Sequence, residues 1–247
     1  MSHRFFVPSE CVSGDRIAFT EYQRKQIKNV LRLDTGEIVY TLDNTGREYV
    51  TRIETLDGSQ AIGRITEVRF PATEPKLRMS LVQSMPKGER LDLILQKCTE
   101  IGVSEFLIIE TERTIVRISP DKTQARLERW RAIVREAAEQ SGRALLPVVE
   151  GVSSFCEAMA RAAQQPAMIA WEGERSTSLL TALQELGGNE LTLFIGPEGG
   201  FTTEEVDAAR SLGIVPVSLG PRILRTETAA IVASALAIFV TANWKYA

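Results

Sequence analysis

From Leu77 onward, short apolar runs alternate with longer segments in which apolar residues recur every three or four positions. The short runs predict buried strands, and the longer segments predict amphipathic helices. Strands are expected at 77–84, 106–109, 148–149, 168–171, 191–195 and 215–219, with the clearest helices at 90–101 and 121–142. This alternation favours an α/β fold built on a mostly parallel sheet.

The amino-terminal residues show a different pattern. Residues 1–70 hold short β-like runs, and turn signals at 36–37 and 43–46 separate them. Residues 70–75 contain two prolines and no apolar periodicity, which is typical of a linker. We therefore expect two domains, a small β-rich domain at 1–72 and an α/β domain at 73–247.

Helix boundaries are marked in several places. Gly102 is expected to end the helix at 90–101, and Thr202-x-x-Glu205 fits a capping box before a helix that Gly213 follows. Residues 229–242 are apolar nearly all round, so this helix should be buried, and it is too short to span a bilayer. A core helix and a core helix that also forms a subunit interface are both possible, and we favour the second.

Two loops rich in glycine and proline are the most informative feature of the chain. Gly196-Pro197-Glu198-Gly199-Gly200 follows a predicted strand and precedes a helix. Open α/β sheets bind ligands at this position, and the glycines permit close backbone approach. The loop lacks a Walker lysine and the G-x-G-x-x-G fingerprint, and Glu198 would repel a phosphate. A tight turn without a ligand explains this loop alone equally well.

The second loop, residues 220–228, repeats the strand-to-helix arrangement. Arg222 and Arg225 bracket Ile223 and Leu224, two aliphatic side chains that can press on a flat ligand. Thr226 or Thr228 can cap the helix that follows. Together the two loops predict a site for a nucleotide-like cofactor that is built largely from backbone groups.

Composition narrows the possible chemistry. Of the 247 residues, 44% are hydrophobic and 25% are charged, as in ordinary globular proteins. His3 is the only histidine, which argues against histidine-dependent triads and metal sites. Three widely spaced cysteines without a C-x-x-C motif favour reduced thiols. We expect a cytoplasmic protein with no metal and no membrane segment.

The net charge of −3 gives no global basic signature, but local charge patterns exist. Arg24, Lys28 and Arg32 would form one stripe on a helix, with Ile27, Val30 and Leu31 facing inward. On the long helix, Glu136, Gln140 and Arg143 share one polar side. Both patterns fit either a solvated helix face or contact with RNA.

The loop sequences resemble a known superfamily. G-P-E-G-G-F at 196–201 and L-G-P-R-I-L-R-T-E-T-A at 219–229 are similar to motifs of the SPOUT RNA methyltransferases. Within that superfamily the chain resembles the 16S ribosomal RNA uridine-N3 methyltransferases. Residues 4–6, 30–33, 90–103, 129–130 and 136–143 extend the resemblance along the chain. Residues 25–28 lack the histidine that often precedes V-L-R in this family.

This resemblance implies an S-adenosylmethionine site in a trefoil-knotted carboxyl-terminal domain, with a PUA-like β-barrel as the amino-terminal RNA-binding domain. It implies a homodimer that acts on 16S ribosomal RNA of the small ribosomal subunit. Three loops would hold the cofactor: Ala170, Trp171 and Glu172; Ile195, Gly196, Pro197, Glu198, Gly199 and Gly200; and Leu219, Gly220, Arg222, Ile223 and Leu224.

Catalytic and RNA-binding roles follow from the same resemblance together with simple chemistry. Uridine N3 carries a proton at neutral pH, so either Arg225 stabilises the developing uridinate or Glu198 accepts the proton. We favour Arg225, with Glu227 orienting it or capping the helix. Gln140 and Arg143 are expected to hold the target nucleotide. The expected phosphate contacts are Arg4, Arg24, Lys28 and Arg32.

Three other functions fit parts of the pattern. A SPOUT methyltransferase that modifies another RNA, such as transfer RNA, would share the carboxyl-terminal motifs. A non-catalytic ribosome-binding or assembly factor could retain the fold, although the intact loops and Arg225 argue against it. A flavodoxin-like nucleotide-binding enzyme is disfavoured by the missing phosphate-binding motifs.

Overall fold

A computed structural model describes residues 3–241, which divide into two compact units. Within the described residues, the first unit comprises residues 3–74 and Ala138–Leu146, and the second comprises Pro75–Ala137 and residues 147–241. The division at 74/75 lies close to the domain boundary expected from the linker. The sequence predicts that the segment Ala138–Leu146 belongs to the α/β domain, whereas in the structure it packs with the first unit.

The first unit is built on a curled six-stranded sheet in the order β1-β4-β5-β6-β3-β2. Only β1 and β4 pair in parallel, and two register shifts interrupt the β5–β6 pair. Its elements are β1 (Arg4–Phe6), β2 (Val12–Ser13), β3 (Arg16–Ala18), α1 (Glu21–Lys25), a π-helix (Gln26–Val30), β4 (Ile38–Leu42), β5 (Glu48–Leu56) and β6 (Ala61–Arg69). Alternate strand residues fill the core, where the rings of Phe5 and Phe19 meet edge to face.

A buried ion pair explains why the segment 138–146 belongs to the first unit. Arg143, which is 5% exposed, donates from Nη2 and Nε to Glu74 Oε2 at 2.6 and 3.2 Å. Glu74 Oε1 also accepts from the amides of Ala144 and Leu145, at 2.8 and 3.2 Å. No local sequence signal marks this pair, because 69 residues separate Glu74 from Arg143.

The second unit contains a parallel six-stranded sheet in the order β12-β10-β11-β7-β8-β9. The strands are β7 (Arg78–Ser84), β8 (Glu105–Glu110), β9 (Val148–Ser154), β10 (Ala167–Ala170), β11 (Glu190–Ile195) and β12 (Val215–Val217). The helices are α2 (Arg90–Ile101), α3 (Pro120–Ser141, of which residues 138–141 belong to the first unit), α4 (Phe155–Ala162), α5 (Leu179–Gln184), α6 (Thr203–Ser211) and α7 (Thr226–Thr241). The α/β class expected from the alternating pattern is thereby confirmed.

Most predicted helix ends are confirmed by the structure. Gly102 follows α2 with a φ of +118°, and Thr202 and Glu205 form the expected capping box at α6. Leu91, Ile94, Leu95 and Cys98 of α2 are buried, as the helical spacing requires. These features are encoded by residues within one or two helical turns, which is why the sequence reveals them.

The last helix, expected to be buried in the core or in the core and a subunit interface together, is buried on only one side within residues 3–241. Helix α7 buries Ala230, Ala233 and Ala237 but exposes Leu236 to 45% and Phe239 to 71%. The predicted end at Ala242 lies outside the described residues. One face of α7 packs on α2, α5 and the sheet, and the remaining apolar face has no cover within residues 3–241.

Removal of the partly buried Glu74 carboxylate in the first unit should be costly. Glu74→Ala is expected to lower the free energy of unfolding by about 3 kcal/mol, because the buried guanidinium of Arg143 would lose the carboxylate with which it forms an ion pair. Chemical denaturation would measure the change. The control Glu67→Ala removes an exposed pair with Arg69 and should change the stability by less than about 1 kcal/mol. An equal effect of both substitutions would contradict the structural role of Glu74.

Candidate functional site

The chain order reverses at the centre of the parallel sheet. Strands β7, β8 and β9 follow one another towards one edge, whereas β11, β10 and β12 lie on the other side of β7. β7 and β11 are paired, with Gln83 beside Ile195 near their carboxyl ends. Such a switch point opens a crevice beyond the carboxyl ends of the strands, where α/β proteins bind ligands.

A cavity of about 230 Å³ lies at this crevice, and we call it the three-loop cavity. Its walls come from the loops that follow β10, β11 and β12 and from the start of α7. It is lined by Ala170, Trp171, Glu172, Ile195, Gly196, Pro197, Glu198, Gly199, Gly200, Ser218, Leu219, Gly220, Arg222, Ile223, Leu224, Thr226 and Ala229. The structure thus brings every residue expected to bind the cofactor into one cavity, and their role as ligand contacts stays a prediction.

Ser218, Thr226 and Ala229 line the cavity but were not expected there. Instead of capping α7, Thr226 lies at its start and is buried. Its hydroxyl donates to the Gly196 carbonyl at 2.7 Å and accepts from Gln83 Nε2 at 3.0 Å. This pair of bonds ties the loop after β11 to the start of α7 and to the end of β7.

The glycine at position 200 is required by its surroundings. Its φ is +68°, and an added Cβ would lie 2.5 Å from a carboxylate oxygen of Glu172. Glu172 itself is exposed and makes no hydrogen bond or ion pair within residues 3–241. The loop after β10 therefore presents an unpaired carboxylate beside the glycine-rich loop.

The Glu198 carboxylate already has partners. Its Oε1 accepts from the Lys87 amide at 2.9 Å and from Arg90 Nη1. Partial burial acts to raise the pKa of Glu198, but the Lys87 amide, its own amide and Arg90 outweigh it, and the pKa lies below the ordinary value. This environment makes Glu198 a weak proton acceptor.

Arg225 and Glu227 are not partners. Glu227 Oε2 lies 3.5 Å from Arg90 Nε, so the expectation that Glu227 orients Arg225 is not met. Arg225 is exposed and pairs with no side chain within residues 3–241. It stands between Leu224 and Thr226, which both line the three-loop cavity, although its own side chain is not part of the wall.

A second carboxylate organises the connection after β10. Glu174 Oε1 accepts from the hydroxyl and amide of Ser176, at 2.5 and 2.7 Å, and from the amides of Arg175 and Thr177. Its Oε2 accepts from Arg210 at 3.2 Å. The bond from the Ser176 hydroxyl, followed by those from the amides, lowers the pKa of Glu174 to about 2.

Comparisons with known proteins identify the family. Residues 73–238 match the model of the RNA methyltransferase domain. The chain is 34% identical over 238 residues to ribosomal RNA small subunit methyltransferase E of Synechocystis sp., covering 95% of this chain and 77% of that protein. The protein of the same name from Bacillus subtilis is 30% identical over 228 residues, which are 90% of this chain and 86% of the relative.

This chain belongs to the ribosomal RNA small subunit methyltransferase E family.

A solved structure of the family supports the same assignment. The ribosomal RNA small subunit methyltransferase E of Neisseria gonorrhoeae, bound to S-adenosyl methionine, superposes with a TM-score of 0.90 at 30% identity. The match covers 99% of this chain and all of that chain. The resemblance inferred from the glycine-rich loops is confirmed.

Four of the six residues expected to contact RNA fall into two groups in this family member. Arg4 donates to Glu48 at 3.2 Å and lies over the Tyr40 ring, and Arg143 is buried against Glu74. Lys28 and Gln140 are exposed. The first two side chains are therefore engaged within the first unit, and the last two are accessible.

The expected basic stripe on one regular helix is wrong. α1 ends at Lys25 and continues as a π-helix, in which the Leu31 amide donates to the Gln26 carbonyl at 2.9 Å. The wider turn changes the direction of the following side chains, so Ile27 is buried but Val30 is 71% exposed. Arg32 lies beyond the helix with a φ of +55°.

Residues 3–241 contain neither a candidate metal site nor a helix that could cross a membrane. Within residues 3–241, no three histidine, cysteine or acidic side chains are grouped so that they could hold a metal ion. In the same part of the chain, no helix combines the length and apolar character needed to cross a membrane.

The Glu174 network should make stability depend on pH. A carboxyl pKa of about 2, below its ordinary 4.5, stabilises the fold above about pH 4.5 and loses that effect as the pH falls towards about 2. Glu174→Gln should therefore lower the melting temperature at neutral pH, and the difference from wild type should shrink across this interval. Thermal unfolding at several pH values would measure it.

Glu185→Gln, a substitution of an exposed carboxylate, serves as the control. It should leave the melting temperature near that of wild type at every pH. A Glu174→Gln deficit that stayed constant down to about pH 2 would show that the charge of Glu174 is not the cause.

Proposed function

We propose that this protein transfers a methyl group from S-adenosylmethionine to N3 of a uridine in 16S ribosomal RNA of the small ribosomal subunit. The observation that carries the proposal is the three-loop cavity at the switch point between β7 and β11. A relative with the same fold binds S-adenosyl methionine, and relatives are named for the small-subunit RNA. A cytoplasmic location follows from this substrate.

The residues of the three-loop cavity fit such a cofactor. Leu219, Ile223 and Leu224 offer apolar surface for a flat base, and backbone groups of residues 196–200 line the same cavity. The unpaired carboxylate of Glu172 suits either the hydroxyls or the positive charge of the donor. When bound, S-adenosylmethionine supplies an activated methyl group on a sulfonium.

The protein must also help the uridine to lose its N3 proton. Glu198 is poorly suited as the acceptor, because its lowered pKa and its bonds to Lys87 and Arg90 hold it as a satisfied carboxylate. Arg225 has no side-chain partner within residues 3–241 and lies at the edge of the same cavity. We assign it the role of stabilising the uridinate charge, which in other enzymes is a large contribution.

RNA contacts are proposed for the first unit. In the first unit, which we assign as the PUA-like RNA-binding domain, the accessible candidates are Lys28 and Gln140, with Arg24 and Arg32 flanking the π-helix. Each lysine or arginine that contacts a phosphate should contribute about one unit to the slope of the logarithm of the binding constant against the logarithm of the salt concentration. Arg4 and Arg143 would first have to leave Glu48 and Glu74, so we assign them mainly to the fold.

We also propose that the protein is a homodimer whose carboxyl-terminal domain carries a trefoil knot, as the family resemblance implies. The support for the dimer is the exposed apolar face of α7, formed by Val232, Leu236 and Phe239. Apolar surface of this kind marks interfaces between proteins.

Phe239→Glu should convert the dimer to a monomer, since a charge would be buried in the interface. Light scattering coupled to size-exclusion chromatography measures the mass directly. Leu212→Glu, at an exposed position after α6, is the control and should leave the dimer intact. A wild-type protein that is monomeric at micromolar concentration would overturn the proposal.

Methyl transfer tests the proposed reaction. Unmethylated small subunits and naked 16S ribosomal RNA are incubated with labelled S-adenosylmethionine, and the product is digested for nucleoside mass spectrometry. 3-Methyluridine should form only when enzyme is present. Donor binding without transfer to either substrate would indicate that the enzyme modifies another RNA. Absence of donor binding would contradict the proposal that the protein is a methyltransferase.

Arg225→Ala should separate catalysis from donor binding. We expect kcat to fall about 100-fold, as for the loss of one group that stabilises an oxyanion, while the Kd for S-adenosylmethionine changes less than about twofold. Single-turnover kinetics and calorimetry would measure the two quantities. Arg126→Ala, an exposed position on α3, is the control. Near-normal turnover of Arg225→Ala would remove Arg225 from the mechanism.

A further inference from the structure

The glycine-rich loop after β11 is held from two sides by arginines that the reaction does not otherwise use. Arg90 follows β7, the neighbour of β11 in the sheet, and Arg113 follows β8, the next strand along. All three connections leave the sheet at the carboxyl ends of parallel strands. The sheet order thus places both arginines beside the loop.

Arg90 joins two acidic residues from different parts of the cavity wall. Its Nη1 donates to Glu198 in the loop, and its Nε lies 3.5 Å from Glu227 Oε2 in the first turn of α7. That oxygen of Glu227 is buried and has no hydrogen-bond partner within residues 3–241. Arg90 is therefore the cation that compensates it, and it connects the loop to the turn that carries Arg225.

Arg113 lies over the other side of the loop. Its Nη1 donates to the Gly199 carbonyl at 2.7 Å. A Cβ added at Gly199 would lie 3.2 Å from Arg113 Cβ and 3.3 Å from its Cδ, so the side chain lies directly against the glycine. Because of this close approach, a side chain at position 199 would push against Arg113.

The segment that carries Arg113 is itself fixed. The Thr111 amide donates to the Thr114 hydroxyl at 2.9 Å, which forms a closed turn around Arg113. The Glu112 amide donates to Glu205 Oε1, also at 2.9 Å, and Glu205 belongs to the capping box of α6. The turn that carries Arg113 is thus hydrogen-bonded to α6, the helix that follows the glycine-rich loop.

We propose that Arg90 and Arg113 are positioning residues that hold residues 197–200 in the conformation that binds the donor, and we call them the arginine clamp. The inference rests on the proposed donor site. A loop with three glycines in five residues has many conformations to lose on binding. Contacts that fix it beforehand reduce this entropic cost and strengthen donor binding.

The alternative role of these two arginines, of which Arg113 is exposed and Arg90 is half-buried, is contact with RNA phosphates. The geometry favours the clamp, because the donor groups of both side chains already point at Glu198 and Gly199 of the loop. The two roles differ in which ligand is lost when the arginine is removed. The experiment therefore measures donor and RNA binding separately.

The test uses the full-length variants Arg113→Ala, Arg90→Ala and Arg90→Lys. Calorimetry gives the Kd for S-adenosylmethionine. Amide hydrogen exchange of the ligand-free protein shows how firmly residues 198–200 are held in one conformation. We expect each alanine variant to weaken donor binding about tenfold, the size of one hydrogen bond to a charged group. Exchange at Gly200, whose amide donates to the Pro197 carbonyl at 3.0 Å, should accelerate, while kcat of Arg113→Ala at saturating donor stays within about twofold.

Arg90→Lys should restore only part of the affinity, because an ammonium group lacks the fork that reaches both Glu198 and Glu227. Arg161→Ala is the matched control, since Arg161 pairs with Glu105 and Glu150 elsewhere in the same unit. It should bind the donor like wild type and leave exchange at 198–200 unchanged.

Three results would overturn the clamp. One is unchanged donor affinity and unchanged loop exchange with reduced RNA affinity, which would make the arginines phosphate contacts. Another is a loss of donor affinity in Arg113→Ala that is matched by a general rise in exchange across the sheet, which would indicate a merely structural role. The third is faster loop exchange with normal donor affinity. If wild type itself binds no donor, the proposed function fails, and loop exchange still decides whether the arginines order the loop.

Discussion

The parallel pairing of β7 with β11 is the constraint on which the rest of the site depends. It places the carboxyl end of a strand from early in the second unit beside the glycine-rich loop, although Gln83 and Gly196 are far apart in sequence. Thr226 connects both positions by two hydrogen bonds of its hydroxyl group. Without this pairing, the glycine-rich loop and the start of α7 would not both be held against the carboxyl end of β7.

The charged side chains around the three-loop cavity are of two kinds: some form ion pairs with each other, and some have no partner within residues 3–241. Glu198 and Glu227 are compensated by Arg90, whereas Glu172 and Arg225 have no partner within residues 3–241. Charged groups that a fold leaves unpaired beside a cavity are available to a ligand. The paired carboxylates therefore belong to the framework of the site, and the unpaired carboxylate and guanidinium are the groups that we assign to donor and substrate.

The sequence predicted those parts of the molecule whose signals are local. Strand alternation, the capping box at Thr202 and the glycines of residues 196–200 each act over a few positions, and the structure contains all of them. The long-range contacts could not be predicted: Arg90 meets Glu198 across 108 residues, and Thr226 meets Gly196 across 30. The π-helix at 26–30 was also missed, because it changes the hydrogen-bond spacing without a distinct residue pattern.

A crystal structure of this protein with S-adenosylmethionine tests the central claim most directly, because the claim concerns where the donor lies. The account predicts density for the donor inside the three-loop cavity, in contact with residues 196–200 and 219–224, and with Glu198 still bound to Arg90. Donor density at any other place in the second unit would contradict it. So would a complex in which Glu198 leaves Arg90 to bind the donor.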